Sequence, residues 1–248
     1  MSSLYCLSMA ACSILAMGIS TTADLGSVNK VGDNTTVNAW VLYTTEQHGN
    51  KTGVENNSTI IETINDTMTT YFKELFQKVE QYFRYHNISI IFNVTNVTEI
   101  RNILVMYNKT KNVDGPKTLA LLQAYGESYA RSATNNTIFY LFTPHNITDY
   151  YDGIAYNYPN KSATTNLIEF STKTKATYNT FCSMNVSAAV VTHDDLKLYS
   201  TAKATTFTFG SSFPPKTKDL PKLNETFHRC KGLGSEKSSK EAPSPNGC

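Results

Sequence analysis

Residues 180–217 read TFCSMNVSAAVVTHDDLKLYSTAKATTFTFGSSFPPKT and are the most informative part of the chain. Its apolar run at residues 188–191 is short and ends in two β-branched residues, which favours a buried strand. An acidic turn, His193-Asp194-Asp195, follows the run and leads into a segment rich in Ser, Thr and Ala. This order predicts a strand, a turn and then a helix.

Two helical patterns lie upstream of this stretch. The stronger one covers residues 58–83, where apolar and aromatic residues recur at spacings of three and four. The second covers residues 118–133, behind the break at Gly115-Pro116. An aromatic stripe at helical spacing is much more often part of the core than a ligand platform, so both patterns predict packed helices.

Between the helical patterns lie apolar runs with the β-branched and aromatic content of strands. Three of them predict buried strands: residues 40–43 (WVLY), 88–94 (ISIIFNV) and 137–143 (TIFYLFT). The run GIAYNY at residues 153–158 favours a short edge strand, and residues 160–177 a polar connection. Strands that alternate with helices predict an α/β fold with a mostly parallel sheet.

The order of these elements resembles that of the reprolysin-like metzincin metalloproteases, in particular the salivary type of blood-feeding arthropods. The resemblance rests on that order together with GIAY at residues 153–156 and the pattern FCS…AAVV…STA at residues 181–202. It implies a mixed, mostly parallel twisted sheet with two long helices, in which GIAYNY is the antiparallel edge strand. It also implies a zinc-binding helix after the strand at residues 188–191.

The zinc-binding motif of that family, H-E-x-x-H-x-x-G-x-x-H, is absent from this chain. If Gly210 takes the place of the residue directly before the motif's second His, then Phe207 and Thr208 replace the first His and the Glu. Ser211 and Thr217 then replace the other two His. A phenyl ring offers a metal no lone pair, and hydroxyls are poor zinc ligands beside imidazole. We therefore expect no cofactor, although the family would imply zinc, and we expect the helix to be short or frayed.

Five Cys occur in the chain, and Cys6 and Cys12 lie within its first 23 residues. The three others, Cys182, Cys230 and Cys248, leave one disulfide with a spare thiol or an intermolecular link. The family resemblance implies that Cys182 bonds to the C-terminal region, where either Cys230 or Cys248 is the partner.

The N-terminus predicts secretion. Residues 4–17 form an uncharged apolar run that is too short to span a bilayer and suits a signal peptide, with residues 1–23 removed. A membrane anchor is the competing interpretation, but no basic residue flanks the run to stop transfer.

N-glycosylation sequons support the same compartment, because 14 occur where random placement would give roughly five. They begin at Asn34, Asn50, Asn56, Asn57, Asn65, Asn87, Asn93, Asn96, Asn108, Asn135, Asn146, Asn160, Asn185 and Asn224.

Charge and motifs exclude several function classes. A net charge of +2 gives no reason to expect nucleic acid or an acidic membrane as partner. No P-loop, nucleophile elbow or dinucleotide fingerprint occurs. His193 with Asp194 and Asp195 could be a metal or acid–base cluster, but a solvated turn before a helix is favoured.

These observations predict a metzincin-like domain at residues 24–217, then a degenerate lower subdomain and disordered tail at residues 218–248. No periodic pattern is read beyond Pro215, and residues 235–248 have a disordered composition. We expect a secreted, glycosylated metalloprotease homologue that is inactive and binds an extracellular or host protein. The alternatives are a secreted small-ligand binder such as a salivary lipocalin, and a truncated product of an active protease gene.

Overall fold

The structure is a computed structural model that describes residues 30–45, 58–108, 110–129, 133–157 and 162–233. Within these ranges it contains eight strands and four α-helices. In chain order they are β1 (Val31–Tyr43), α1 (Ser58–Tyr85), β2 (Ile88–Glu99), β3 (Val113–Asp114), α2 (Gly115–Ser128), β4 (Thr137–Thr143), β5 (Ile147–Asn157), β6 (Ser162–Thr172), β7 (Thr174–Ala176), β8 (Ser187–Thr192), α3 (Lys197–Thr208) and α4 (Leu220–Leu233). A 3-10 turn, Thr217–Asp219, precedes α4.

The main sheet has five strands in the order β2-β1-β4-β8-β7. Four of them are parallel, and only β7 runs antiparallel, beside β8. The prediction of an α/β fold with a mostly parallel sheet is therefore confirmed. All seven residues of β4 are buried, as expected for a central strand covered on both faces.

Two apolar cores cover the two faces of this sheet. The larger core joins the sheet to α1, α3 and α4 through residues such as Phe76, Ala202 and Phe227. The smaller core packs α2 on the opposite face through Leu119 and Leu122. The helices are unequal in length, since α1 has 28 residues and α2 has 14. The helix α2 starts before the predicted residue 118, because the Asp114 side chain caps it by accepting from the Lys117 N–H at 3.1 Å.

The predicted polar connection at residues 160–177 is wrong, because it contains β6 and β7. Residues 153–157 of the predicted strand GIAYNY belong to β5, which pairs with β6 in a second sheet of order β3-β5-β6. The antiparallel edge of the main sheet is β7. Thr is β-branched and is common in strands that have one polar face. A polar composition alone therefore does not indicate a loop. The first strand also starts earlier than predicted, at Val31.

The prediction of no regular structure beyond Pro215 is wrong as well. The helix α4 buries Leu223, Thr226 and Phe227 against the larger core, and the half-buried Cys230 continues the same face. Their spacings of three and four are helical, and Pro221 falls in the first turn, where it is tolerated. Residues 218–233 are thus integrated into the domain. The predicted signal peptide and the tail at residues 235–248 lie outside the described residues.

Candidate functional site

The helix α3 is the element that the family resemblance makes functional, and its inner face consists of small residues. Ala202 and Ala204 are fully buried there, together with hydroxyl residues. The buried hydroxyl residues are Ser200, Thr201, Thr205, Thr206 and Thr208. Such short side chains let the helix lie close to β8 and β7, with which it makes extensive contact.

The threonine hydroxyls of this inner face are hydrogen-bonded. Thr201, Thr205 and Thr206 each donate to the carbonyl four residues back, at 2.7, 2.8 and 2.8 Å. Thr205 Oγ1 also bonds the hydroxyl of Tyr140 at 2.8 Å, and burial raises the pKa of that tyrosine. Threonine is a weak helix former whose hydroxyl competes for backbone groups, so packing rather than propensity holds this helix. It is regular up to Thr208, and the predicted fraying is wrong.

Gly210 ends α3 as a C-terminal cap. Its φ of 81° lies in the left-handed region, and a Cβ added there would stand 2.6 Å from Asn179 Oδ1. The N–H of Ser211 bonds the carbonyl of Thr206 at 3.1 Å, which is the long bond of a Schellman motif. The glycine that anchors the motif alignment therefore has a structural role of its own.

The four positions that replace the zinc ligands and the base do not form a metal site. Thr208 is buried and donates to the Thr205 carbonyl at 2.8 Å, and Ser211 is 3% exposed with its hydroxyl 3.4 Å from the Ser212 carbonyl. Thr217 is exposed on the turn before α4, and Phe207 lies on the outer side of α3. These donors do not fit zinc, and in the described part of the chain no three His, Cys, Asp or Glu side chains form a metal-binding group.

The outer face of α3 carries apolar and aromatic side chains instead. Tyr199 is 57% exposed, and Phe207 lies two turns further along the same face, with the ammonium of Lys203 5.7 Å from its ring centroid. Leu196, directly before the helix, is 55% exposed. A surface helix normally shows the reverse pattern, with polar groups in water and apolar groups inside. On α3 the buried side thus bears hydroxyl groups, whereas the outer side bears the exposed Tyr199 and the half-buried Phe207.

Tyr199 continues into a surface cluster formed with α1 and the segment after α3. The ring of Tyr82 lies 6.0 Å from that of Tyr199 and stacks on Phe213 at 5.7 Å. His86 lies 4.7 Å from Tyr82, and the 85% exposed Tyr85 lies 5.4 Å from His86. Burial, followed by the neighbouring Tyr199, raises the pKa of Tyr82. We call these five residues the aromatic patch: Tyr82, Tyr85, His86, Tyr199 and Phe213.

The sequence did not single out this patch. The residues Tyr199, Lys203 and Phe207 recur every four positions, which is a usable helical signal. This signal does not reveal the patch, because Tyr82 belongs to an aromatic stripe that the general rule assigns to the core. Phe207, in turn, is matched by the motif to a zinc ligand and not to a surface cluster.

The acidic turn before α3 is a structural turn. His193 Nε2 lies 2.5 Å from the Tyr71 hydroxyl, and burial, more than the nearby Lys197, lowers the pKa of His193. Burial alone would raise the pKa of Asp194, but the Lys173 ammonium at 2.8 Å and the Leu196 N–H outweigh it, so this pKa is lowered. Asp195 is exposed, so His193 and the two carboxylates face different partners.

The disulfide joins Cys182 to Cys230, which ties the segment before β8 to α4. The Cα atoms are 4.9 Å apart, and Phe181, Phe209 and Phe227 pack together beside the bond. The sequence leaves two possible partners for Cys182, and in the structure Cys182 is bonded to Cys230. Cys248 lies outside the described residues.

The sequons that the structure describes lie at the surface. Eight asparagines are exposed and Asn96 is half-buried. The exposed ones are Asn34, Asn87, Asn93, Asn108, Asn135, Asn146, Asn185 and Asn224. Asn65 lies on α1, and Asn50, Asn56, Asn57 and Asn160 lie outside the described residues. Attachment of sugar to the exposed asparagines needs no change in the fold.

Comparisons with known proteins add little to this geometry. No family model matches the chain, and no curated protein matches it. A solved structure titled "Structure of a chaperone-substrate complex" aligns at a TM-score of 0.40 with 7% sequence identity. The alignment covers 72% of this chain and 26% of that chain. A similarity this weak gives no basis for inferring a shared fold or function. None of the described helices is long and apolar enough to cross a bilayer.

Proposed function

We propose that this chain is a secreted, N-glycosylated protein that binds another protein through the aromatic patch and does not hydrolyse peptide bonds. The observation that carries the proposal is the contrast between the two sides of α3. Its threonine hydroxyls are buried and bonded, whereas Tyr199 and Leu196 are more than half exposed.

The aromatic patch joins the exposed Tyr85 and Tyr199 to three half-buried rings, and such a surface cluster is typical of a protein interface. Single exposed apolar residues are common on any protein, but a contiguous group of them marks a contact surface. Tyrosine and other aromatic residues are enriched at the centres of interfaces, because a rigid ring buries a large area at little cost in side-chain entropy. The stacked pair of Tyr82 and Phe213 gives the patch a fixed centre.

The framework proposed for this binder is metzincin-like. The order that the family resemblance implies is strand, helix, strand, helix, strand, antiparallel edge strand, cysteine, strand and helix. In the structure β1, α1, β2, α2, β4, β7, Cys182, β8 and α3 follow one another in that order. The additional sheet of β3, β5 and β6 is a departure from it. The aromatic patch then lies beside the helix that bears zinc ligands in active relatives.

The absence of hydrolysis rests on the chemistry of the replaced positions. Phe207 has no lone pair, and the hydroxyl of Thr208 is turned into the helix. Elemental analysis of the secreted protein, together with a gelatin-cleavage assay in added zinc, tests this part. We expect no stoichiometric zinc and no cleavage; bound zinc with metal-dependent cleavage would overturn it.

The lipocalin alternative requires strands that close a barrel around one cavity. The described strands form an open five-stranded sheet and a separate three-stranded sheet, flanked by helices. No observation therefore favours a small-ligand binder.

Site-specific photo-crosslinking tests the binding proposal. A benzophenone amino acid is placed at Tyr199, and in a control at Met184, which is 89% exposed on the loop before β8. Each secreted protein is then irradiated in the fluid into which it is released. We expect a defined cross-linked protein from position 199 and none from position 184.

The cross-linked protein is then purified and its affinity measured. The double variant Tyr85→Ser/Tyr199→Ser should bind it at least about tenfold more weakly, as expected when aromatic anchors are truncated, while Met184→Ser should bind it as the wild type does. Equal cross-linking from both positions, or an affinity that the double variant leaves unchanged, would refute the proposal.

A further inference from the structure

The strand β2 is the longest edge strand of the main sheet. It has 12 residues and pairs on one side with β1, and no other described strand pairs with it. An edge of this length presents a row of backbone N–H and C=O groups that another chain can pair with. The opposite edge, β7, has three residues and offers much less.

The first half of β2 is closed by α1. The backbone N–H of Phe92 donates to Glu80 Oε1 at 2.6 Å, so a side chain of the helix occupies one of the edge donors. A carboxylate at this place also discourages an approaching strand, because the strand would have to displace a charged group. Glu80 lies on α1 twelve residues before Phe92, and no equivalent contact is described for the second half of β2.

The second half of β2 contains a bulge that brings two sequons to one face. Ala39 pairs with Val94 and Trp40 pairs with Asn96, so Thr95 is the extra residue. Val94 and Val97 consequently both pack on the larger core. Strict alternation would place positions 93 and 96 on opposite faces, but with the bulge both asparagines lie on the face away from α1.

The side chains of these asparagines lie in the surface layer of that face. Asn93 is exposed and donates to Asn38 Oδ1 at 3.2 Å, and Asn96 Oδ1 accepts from Thr98 at 3.2 Å. An N-linked glycan is bulky and hydrophilic, and two of them three residues apart would occupy the volume that a sixth strand beside β2 needs.

We infer that glycans on Asn93 and Asn96 close the second half of the β2 edge and prevent a second copy of this chain from pairing with it. The inference rests on the proposed secretion and glycosylation. It gives these two sequons a role that the sequons in loops, such as Asn135 and Asn185, do not have.

The test compares two glycan-deletion variants produced in a eukaryotic secretory host. Asn93→Gln/Asn96→Gln removes the sugars of β2, and Asn135→Gln/Asn185→Gln removes two from the loops before β4 and β8. Mass spectrometry gives site occupancy, and light scattering on a sizing column gives the fraction of self-associated protein. We expect the β2 variant to self-associate at least tenfold more than the wild type, and the loop variant to remain monomeric.

A third variant separates edge pairing from misfolding. Asn93→Lys/Asn96→Lys also lacks the sugars but carries edge lysines, which block strand pairing by charge. We expect it to be monomeric. Three results would overturn the inference while leaving the proposed function intact. The Gln variant could be monomeric, or the Lys variant could self-associate as much as the Gln variant. The wild type could also carry glycans on the loop asparagines but none on Asn93 and Asn96. A secreted wild type without glycan at any site would overturn both.

Discussion

The two faces of α3 differ in what they contact. The inner face bears alanines and hydroxyl residues, and its threonine hydroxyls bond the carbonyls of the preceding turn or Tyr140. The outer face bears Tyr199, Lys203 and Phe207, and Tyr199 contacts Tyr82 of the aromatic patch. The inner face therefore accounts for how the helix is held in the domain, and the outer face has no comparable structural task. This difference separates the face that holds the helix in the domain from the face that we propose for a partner.

The largest effect is expected from removing the disulfide that ties α4 to the segment before β8. Cys182→Ser/Cys230→Ser opens a loop with a sequence separation of 48. We expect a loss of about 4 kcal/mol in the free energy of unfolding, because the unfolded chain regains entropy. Urea denaturation of the oxidised protein and of this variant measures the effect. A loss under about 1 kcal/mol would show that α4 is held on the core without this bond.

A smaller loss is expected from the hydroxyl pair beneath α3. Thr205→Val keeps the side-chain volume but leaves the buried hydroxyl of Tyr140 without the partner that it has at 2.8 Å. We expect a cost of about 1–3 kcal/mol in unfolding free energy. The double variant Tyr140→Phe/Thr205→Val removes both polar groups and should recover most of that cost, which a double-mutant cycle reads directly. Additive losses would mean that the two hydroxyls do not interact.

The turn at the start of α3 predicts a dependence on pH. Burial lowers the pKa of His193 in the folded protein. In the unfolded chain this pKa has its ordinary value, near 6.5. The neutral ring thus stabilises the fold fully above about pH 6.5, and this contribution falls as the pH drops from there towards the folded pKa. His193→Gln should remove this step from a plot of unfolding free energy against pH between 8 and 5.

A matched variant separates the two contacts of this ring. Tyr71→Phe removes the hydroxyl that lies 2.5 Å from His193 Nε2 but keeps the aromatic ring. Because burial is the first cause of the lowered pKa, the step should persist in this variant. Its disappearance would assign the effect to the hydrogen bond instead.

The parts of the fold that the sequence could predict are those with a strong apolar period. The strands at residues 137–143 and 188–191 and the helix from Ser58 were predicted because burial on both faces, or on one helical face, leaves a plain pattern. The strand β6 was missed because polar residues, Thr among them, interrupt its apolar pattern. The helix α4 was missed because its core-facing apolar residues are few and are separated by polar and charged residues, which gives a weak period.

The candidate site was harder to predict, for a physical reason. Periodicity shows which residues share a face but not which face is turned inward. On α3 the small hydroxyl face and the aromatic face are equally periodic, and the usual rule assigns the aromatic one to the core. Only the packing of α1 and α3 against the sheet shows that Tyr199 is outside.

The measurement that tests the central claim most directly is the stability of Tyr85→Ser/Tyr199→Ser, with Thr205→Val measured beside it. The two tyrosines are 85% and 57% exposed, so their removal should change the free energy of unfolding by no more than about 0.5 kcal/mol. Thr205→Val, on the inner face, should lower it by the larger amount given above. If the tyrosine variant instead loses more than about 2 kcal/mol, the outer face serves the fold and the aromatic patch is not a surface kept for a partner.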